Sequence, residues 1–370
     1  DIEKKTEELA PGKNGEEALW PIVQFVADEI KKYHVPLSDV DYSPRTADEV
    51  LKDGAGDSRE LVVLLMALLK TKDIEAYPVL VTPYGVSIRE DVPTMAQFYG
   101  IALQANAFEK VFYINPMQED CMQGHLGGLK GEQGLLVKLG GYEFVDFPET
   151  DPMENKVAVQ YLCQLNDEGD LKGWVHVKGW GEFDCDIRSE LKDNPPRNMT
   201  MIMEDIVSTI KSGAKLLEDS TGILDDPTVN SSFSFRFEAE DFASVQKDMM
   251  IFEFPGNPVT FTGMEIPTSL KERNDPIWFN FPFTYELEYT ITVPEGYEMV
   301  FLTPSTNESN DVGSVTLQSS KQGNRVSFTR AMTIQERMVE AGEYQLLRDI
   351  ARSWRTPKNK LLLLEQKGDK

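Results

Sequence analysis

Apolar residues follow a helical spacing in three parts of the chain and alternate in several shorter segments. The leucines of 61–69 recur every three or four positions and predict a helix, and similar spacing predicts helices over 16–33 and 199–217. Alternation of apolar and polar residues over 285–293 predicts a strand. Further short strands are predicted over 75–82, 110–115, 135–138 and 142–146.

The pattern changes near residue 157, where helical spacing gives way to repeated short strands. Residues 84–107 have a helical tendency and interrupt the first group of strands. We therefore predict an α+β chain with a first domain over 1–153 and a second over 157–370. The second is predicted to be an antiparallel β-sandwich domain with an inserted helix near 199–217.

The composition is that of a globular protein with a strongly acidic surface. The 370 residues are 41% hydrophobic and carry a formal net charge of -25, which disfavours partners with phosphate backbones, so no nucleic acid is predicted. No apolar run reaches the roughly 18–20 residues that span a bilayer, so no transmembrane segment is predicted. The chain begins at Asp1 without a signal peptide, and we expect it to be a trimmed fragment.

The segment Gly56-Asp57-Ser58-Arg59-Glu60 predicts a capped start for the leucine-rich helix. Asp57 suits the N-cap position, and Glu60 lies three residues further on, where a capping box requires an acidic side chain. A cysteine at position 58 would be pushed towards thiolate by the positive end of the helix. The residue there is serine, whose hydroxyl a helix end alone does not ionise.

This segment resembles the transglutaminase-like superfamily, the papain-fold branch found in exported bacterial proteins. That family has Gly-Asp-Cys before a leucine-rich helix, and the following Asp73-Ile74-Glu75-Ala76 matches its passage into a strand. The family's His lies in an aromatic-Asn-His-Val strand, best matched by Phe108-Glu109-Lys110-Val111. Its Asp lies in an aromatic-aliphatic-Asp-aliphatic-Pro strand, best matched by Phe144-Val145-Asp146-Phe147-Pro148. The resemblance thus implies that Ser58, Lys110 and Asp146 occupy the Cys, His and Asp positions.

The resemblance continues into the second half of the chain. Asn166 to Gly173 and Leu270 to Pro304 look like the β-rich region that follows this domain in one exported bacterial group. The resemblance therefore implies a papain/transglutaminase-like core followed by a β-rich domain. It also implies a periplasmic or cell-envelope location.

Three functions are compatible with these residues. The first is a catalytically degenerate protein that binds a protein, peptide or glycan or has a structural role. The second is a papain-type hydrolase in which Lys110 activates Ser58 and Asp146 assists, which requires a lysine whose pKa burial has lowered. The third is a glycan-binding accessory protein that uses its tryptophans. No pair among the three histidines has metal-ligand spacing, so we predict no metal and no cofactor.

Overall fold

The computed structural model describes residues 1–37, 43–83, 85–107, 109–259 and 265–367. It divides into two compact units, Asp1–Thr150 and Asp151–Lys370. Both units combine helices with sheets, so the predicted α+β class is confirmed. Among the described residues, no helix combines the length and the apolar character needed to cross a membrane.

The first unit consists of helices followed by a sheet. Its helices are α1 (Ile2–Leu9), α2 (Glu16–Glu29), α3 (Ala47–Asp53) and α4 (Ser58–Lys70). Two short parallel strands, β1 (Lys31–Tyr33) and β2 (Ala55–Asp57), lie between them in the chain. The remaining strands are β3 (Glu75–Val81), β4 (Gly100–Ala107), β5 (Lys110–Ile114), β6 (Gln133–Lys138) and β7 (Gly141–Asp146).

The five later strands form one antiparallel sheet in the order β5-β4-β3-β6-β7. Leucines of α4 pack with residues of α2, β4 and β5 in one apolar cluster, which explains their helical spacing in the sequence. A smaller cluster contains residues of β3, β4 and β6. Since α4 is anchored in the first cluster, the position of its N-terminus is fixed relative to this sheet.

The second unit is dominated by strands. Its helices are α5 (Glu182–Leu191), α6 (Pro196–Ile210) and α7 (Tyr344–Arg355). Its strands are β8 (Lys156–Leu165), β9 (Leu171–Gly179), β10 (Lys215–Thr221), β11 (Ser232–Ala239), β12 (Ser244–Gln246), β13 (Met249–Glu253), β14 (Ile277–Trp278), β15 (Phe283–Thr292), β16 (Tyr297–Leu302), β17 (Thr306–Asn310), β18 (Gly313–Gln322), β19 (Arg325–Ile334), β20 (Met338–Val339) and β21 (Leu361–Gln366).

An eight-stranded sheet in the order β10-β11-β9-β8-β15-β19-β18-β17 and a four-stranded sheet in the order β12-β13-β21-β16 contribute to one core. Phenylalanines and tyrosines fill much of that core, including the stacked pair Tyr161 and Tyr289. The larger sheet is not wholly antiparallel as predicted, because β15 runs parallel to β8. This pairing joins strands that are distant in sequence, which alternation of residues alone cannot reveal.

Two predicted helices differ from the structure. Residues 100–107 form strand β4 rather than a helix, because they pair with β3 on one side and β5 on the other. The helix predicted over 199–217 is α6, which ends at Ile210, and residues 215–221 form edge strand β10. In both places pairing with neighbouring strands outweighs local preference.

Candidate functional site

The start of α4 has the capping box that the sequence predicts. The Asp57 carboxylate accepts hydrogen bonds from the backbone N–H groups of Arg59 (2.9 Å) and Glu60 (3.2 Å). The Glu60 carboxylate in turn accepts from the Asp57 N–H (3.1 Å). Ser58 is therefore the first residue of a helix whose end is already held by two acidic side chains.

Two arginines neutralise these acidic side chains. Arg45 makes a bidentate contact with Glu60, at 2.7 Å from Nε to Oε1 and 2.8 Å from Nη2 to Oε2. The hydrogen bonds from Arg45 are the main reason that the pKa of Glu60 is lowered to about 2. Arg59 contacts Asp57 at 2.6 Å from Nη2 to Oδ2. The positive end of the helix dipole therefore already has ionised partners, which leaves it less able to stabilise an anion at position 58.

A cavity of about 600 Å³ opens beside Ser58. Among the described residues that line it, none is Asp, Glu, Lys or Arg, although the charged residues are 27% of the sequence. The lining is Tyr33, His34, Val35, Pro36, Leu37, Ser58, Ala96, Phe98, Tyr99, Gly100, Ile101, Asn115, Met117 and Leu129. The cavity therefore suits an uncharged group with an apolar surface and a few hydrogen-bonding atoms.

Two pairs of neighbouring strands bring much of this lining together. In the parallel pair β1–β2, Tyr33 is in register with Asp57, so His34 and Ser58 are the next residues on adjacent segments. Strand β4 begins at Gly100, and the antiparallel strand β5 ends just before Asn115, so both residues lie at one end of the sheet. A Cβ atom built on Gly100 would have no neighbour within 4 Å, so this position has room for a side chain.

Asn115 is engaged in holding its own loop. Its Nδ2 donates to Gln118 Oε1 (3.3 Å) and to the Leu126 carbonyl (3.3 Å), while its Oδ1 accepts from the Met117 N–H (3.1 Å). These bonds use both hydrogens of the amide. Asn115 therefore supports the cavity wall, and an amide in this position supplies no proton acceptor of useful basicity.

The structure does not bring Lys110 and Asp146 to Ser58 as the sequence predicts. Lys110 begins β5, so the length of that strand separates it from the cavity at Asn115, by about 17 Å at the usual rise of a strand. Its side chain is 62% exposed, and its Nζ contacts Glu16 Oε2 at 2.7 Å. Phe108, the first residue of the motif assigned there, lies outside the described residues.

Asp146 lies on a different edge of the sheet from Lys110. It ends β7, and its side chain is exposed. Strands β5 and β7 are opposite edges of the sheet, yet side chains at one of their ends meet, because the rings of Tyr113 and Phe147 have centroids 4.8 Å apart. Lys110, at the other end of β5, is the predicted residue that lies away from the Ser58 cavity, so the three predicted residues are not gathered there as one cluster.

Sequence reasoning missed Gly100 and Asn115, although a signal for each was present. Phe98-Tyr99-Gly100-Ile101 has the aromatic residue and the aliphatic residue of the aromatic-Asn-His-Val pattern, with glycine in place of histidine. Tyr113-Ile114-Asn115-Pro116 has the aromatic, aliphatic and proline residues of the Asp pattern, with asparagine in place of aspartate. The first signal was missed because residues 84–107 read as helical. The structure brings both positions to the cavity that Ser58 lines.

Comparison with known proteins gives one family match and ten matching chains of solved structures. Residues 248–364, in the second unit, match the family model described as a domain of unknown function with a solved structure (DUF3858). No curated protein sequence matches this chain.

One of these structural matches is a crystal structure from Parabacteroides distasonis ATCC 8503, whose protein is described as a "putative protease". It superposes with a TM-score of 0.62 and 16% sequence identity over 98% of this chain. This chain spans 55% of the length of that protein. At this level of identity the match shows a shared fold, and a mixed α+β architecture is common to both chains.

Proposed function

We propose that this chain is a catalytically degenerate transglutaminase-like protein with a binding or structural role at the bacterial cell envelope. In this proposal, the first unit is the transglutaminase-like domain and the second is the β-sandwich domain of the exported bacterial group. The observation that carries the proposal is the cavity of about 600 Å³ beside Ser58, whose described lining contains no Asp, Glu, Lys or Arg. We assign Gly100 and Asn115, which also line it, to the places of the His and the Asp. Its ligand is an uncharged part of a protein, peptide or glycan.

The absence of activity follows from acid–base chemistry. Acyl transfer requires a nucleophile that is ionised or deprotonated near neutral pH, and an acid that returns the proton to the leaving group. Glycine at position 100 supplies neither group, and the amide of Asn115 is occupied by its loop. The Ser58–Lys110–Asp146 hydrolase is disfavoured because Lys110 begins β5 at the end away from the cavity and its exposed side chain contacts Glu16. Of the described lining residues, His34 is the one with an imidazole, and it lies on the segment adjacent to Ser58.

The direct test is a serine-directed fluorophosphonate probe on the unaltered protein, with labelling of Ser58 read by mass spectrometry. We expect no labelling of Ser58. Stoichiometric labelling that is lost in Lys110→Ala would establish a Ser-Lys hydrolase, and labelling lost in His34→Ala would establish a Ser-His hydrolase. Either result would show that the protein is an enzyme and would contradict the proposal that it is catalytically degenerate.

A second test asks whether the cavity is the site of the lost triad. Ser58→Cys provides a thiol beside the capped helix end, and Gly100→His adds an imidazole where the structure has space. A neighbouring imidazolium lowers the pKa of a thiol, so the double variant should react with iodoacetamide at pH 7 about tenfold faster than Ser58→Cys alone. The matched control is Ser58→Cys with Lys110→His, which should react no faster than Ser58→Cys. A faster reaction of the variant with Lys110→His than of the variant with Gly100→His would instead assign the position of the family's His to Lys110 on β5.

A further inference from the structure

One face of the eight-stranded sheet is accessible to solvent. Along β8, the side chains of Val159, Tyr161 and Cys163 point into the core of the second unit. Gln160 and Leu162 alternate with them, so they point to the opposite face, where both are exposed. Strands β9, β11 and β15 alternate between buried and accessible residues in the same way. The accessible face therefore continues across four neighbouring strands.

An apolar pair of side chains lies on this face. Trp174 of β9 is in register with Leu162 of β8, and the two residues are 41% and 60% exposed. The Cβ atoms of residues in register on antiparallel strands lie about 5 Å apart, so these two side chains form one apolar surface, which we call the sheet platform. Its neighbours in the same row are polar, namely Arg236 on β11 and Thr290 on β15.

Hydrogen-bonding side chains form the next row beside the sheet platform. Gln160 is in register with His176, and His176 with Ser234. Gln160 Nε2 donates to Glu288 Oε2 (2.8 Å), and His176 Nδ1 lies 2.9 Å from Ser234 Oγ. Gln160 Oε1 and His176 Nε2 remain as a second polar atom on each of these two side chains. Partial burial, together with the nearby charge of Lys178, lowers the pKa of His176, so its imidazole is neutral at pH 7.

The cations that border the sheet platform are paired with acids of the same face. Arg236 Nη1 lies 3.6 Å from Glu218 Oε2. Lys172 Nζ lies 2.7 Å from Glu238 Oε1. Charge is thus balanced beside the platform, although the chain as a whole carries a net charge of -25. An ionic ligand would have to compete with a partner already in place, whereas a neutral ligand leaves both pairs intact.

A neutral sugar ring has the chemistry that this arrangement fits. The C–H groups on one face of the ring pack on an apolar surface, and its hydroxyls both donate and accept hydrogen bonds. Gln160, His176 and Arg236 offer donors and acceptors on two sides of the platform. A protein partner would instead cover about 800 Å² with an apolar centre, and it would desolvate the ion pairs that flank only two apolar side chains here.

We propose that this face of the second unit binds a neutral glycan. One sugar ring stacks on the sheet platform, and its hydroxyls are bound by Gln160, His176 and Arg236. The site belongs to the second unit alone. It goes beyond the function proposed for the Ser58 cavity and does not require it.

The test uses the full chain and a panel of neutral oligosaccharides, namely cellohexaose, maltohexaose, mannohexaose, xylohexaose and N-acetylchitohexaose, each at millimolar concentration. The indole N–H signals of the tryptophans are followed by NMR, and the Trp174 signal is identified by its loss in Trp174→Ala. We expect at least one oligosaccharide to shift the Trp174 signal, with a dissociation constant in the millimolar range or below. That constant should not change in high salt, because the ligand is uncharged.

Three outcomes would overturn the proposal. The first is that no oligosaccharide of the panel shifts the Trp174 signal. The second is binding that is lost in high salt, which would show that charge rather than stacking holds the ligand. The third is a Trp174 signal that moves with protein concentration in the absence of sugar, which would show that a second copy of the chain covers this face.

Two variants with matched controls locate the site. Trp174→Ala removes half of the sheet platform and should weaken binding about tenfold or more. Its control is Trp278→Ala, which removes a tryptophan of the same unit that is 49% exposed and should leave binding unaltered. Gln160→Leu should weaken binding several-fold, whereas Gln318→Leu makes the same change further along the same row, on β18, and should have no effect. Equal effects of a variant and its control would exclude a site at the sheet platform.

Discussion

The two units each contain an arginine–carboxylate pair close to a helix, and the pairs differ in depth. At the start of α4, Arg45 and Glu60 are separated by 2.7 Å and their side chains are 37% and 9% exposed. In α5, Arg188 and Asp184 are separated by 2.9 Å and their side chains are 2% and 0% exposed. Both pairs have short contact distances, but only the second pair is fully buried.

The surroundings of the two pairs explain the difference. Arg45 also donates to the Ala55 carbonyl at 2.9 Å, so the first pair organises the short strand and the helix start beside the Ser58 cavity. Arg188 donates to the carbonyls of Leu224 and Val229, and Asp184 accepts from the Ser231 N–H. The second pair therefore holds the segment that contains Leu224, Val229 and Ser231 against helix α5. The same chemistry orders a local turn in one unit and anchors a distant segment in the other.

The largest expected effect comes from breaking the buried pair. Asp184→Ala leaves the Arg188 guanidinium buried without its carboxylate, which should lower the free energy of unfolding of the second unit by about 3–5 kcal/mol. Urea unfolding followed by tryptophan fluorescence measures this loss. Asp184→Leu combined with Arg188→Met replaces the pair by apolar side chains and should recover much of it. A loss below about 1 kcal/mol in Asp184→Ala would mean that the pair is solvated.

An intermediate effect is expected from pH at Glu60, the carboxylate of the first pair. The pKa of Glu60 is lowered from 4.5 to about 2, so its ionised form is favoured by folding. That stabilisation is fully present above about pH 4.5 and is lost as the pH falls through about 2. At 1.36 kcal/mol per pKa unit it amounts to about 3 kcal/mol. The free energies of unfolding of the unaltered protein and of Glu60→Gln should differ by about this amount at pH 6, and the difference should shrink as the pH falls towards 2. A difference that stays constant with pH would exclude an ionic contribution from Glu60.

The smallest effect is expected at Lys110. Its contact with Glu16 joins side chains that are 62% and 40% exposed, so water and salt screen it. Lys110→Ala should change the free energy of unfolding of the first unit by less than about 1 kcal/mol, with the difference shrinking in high salt. A larger loss that does not depend on salt would show that Lys110 has a buried role, contrary to its position on the edge.

The sequence predicted those parts of the fold whose residue pattern depends on local structure. The capping box at Asp57 and Glu60 and the leucine spacing predicted α4 close to its observed start. Strand β4 was missed because its sequence, Gly-Ile-Ala-Leu-Gln-Ala-Asn-Ala, contains strong helix formers. Its strand conformation comes from pairing with β3 and β5, which a local pattern does not contain.

The candidate site was only partly predictable for a related reason. Ser58 was found because the surrounding helix start is intact and marks the position. Gly100 and Asn115 are not residue types that indicate a catalytic role by themselves. Their place beside Ser58 can be recognised only when the neighbouring strands are known. With residues 84–107 read as helical, the motif matches fell on Lys110 and Asp146, which lie on the two edge strands of the sheet.

The parallel contact between β8 and β15 has a consequence for how the chain folds during synthesis. Lys156 and Glu286, 130 positions apart, form an ion pair across this contact. At roughly 5–20 residues per second, a ribosome needs about 7–26 s to add that many residues. During this interval the β8–β9 hairpin has no partner for the β8 edge that later pairs with β15. The second unit therefore completes its central sheet late, and nascent chains are open to mispairing at that edge until β15 has emerged.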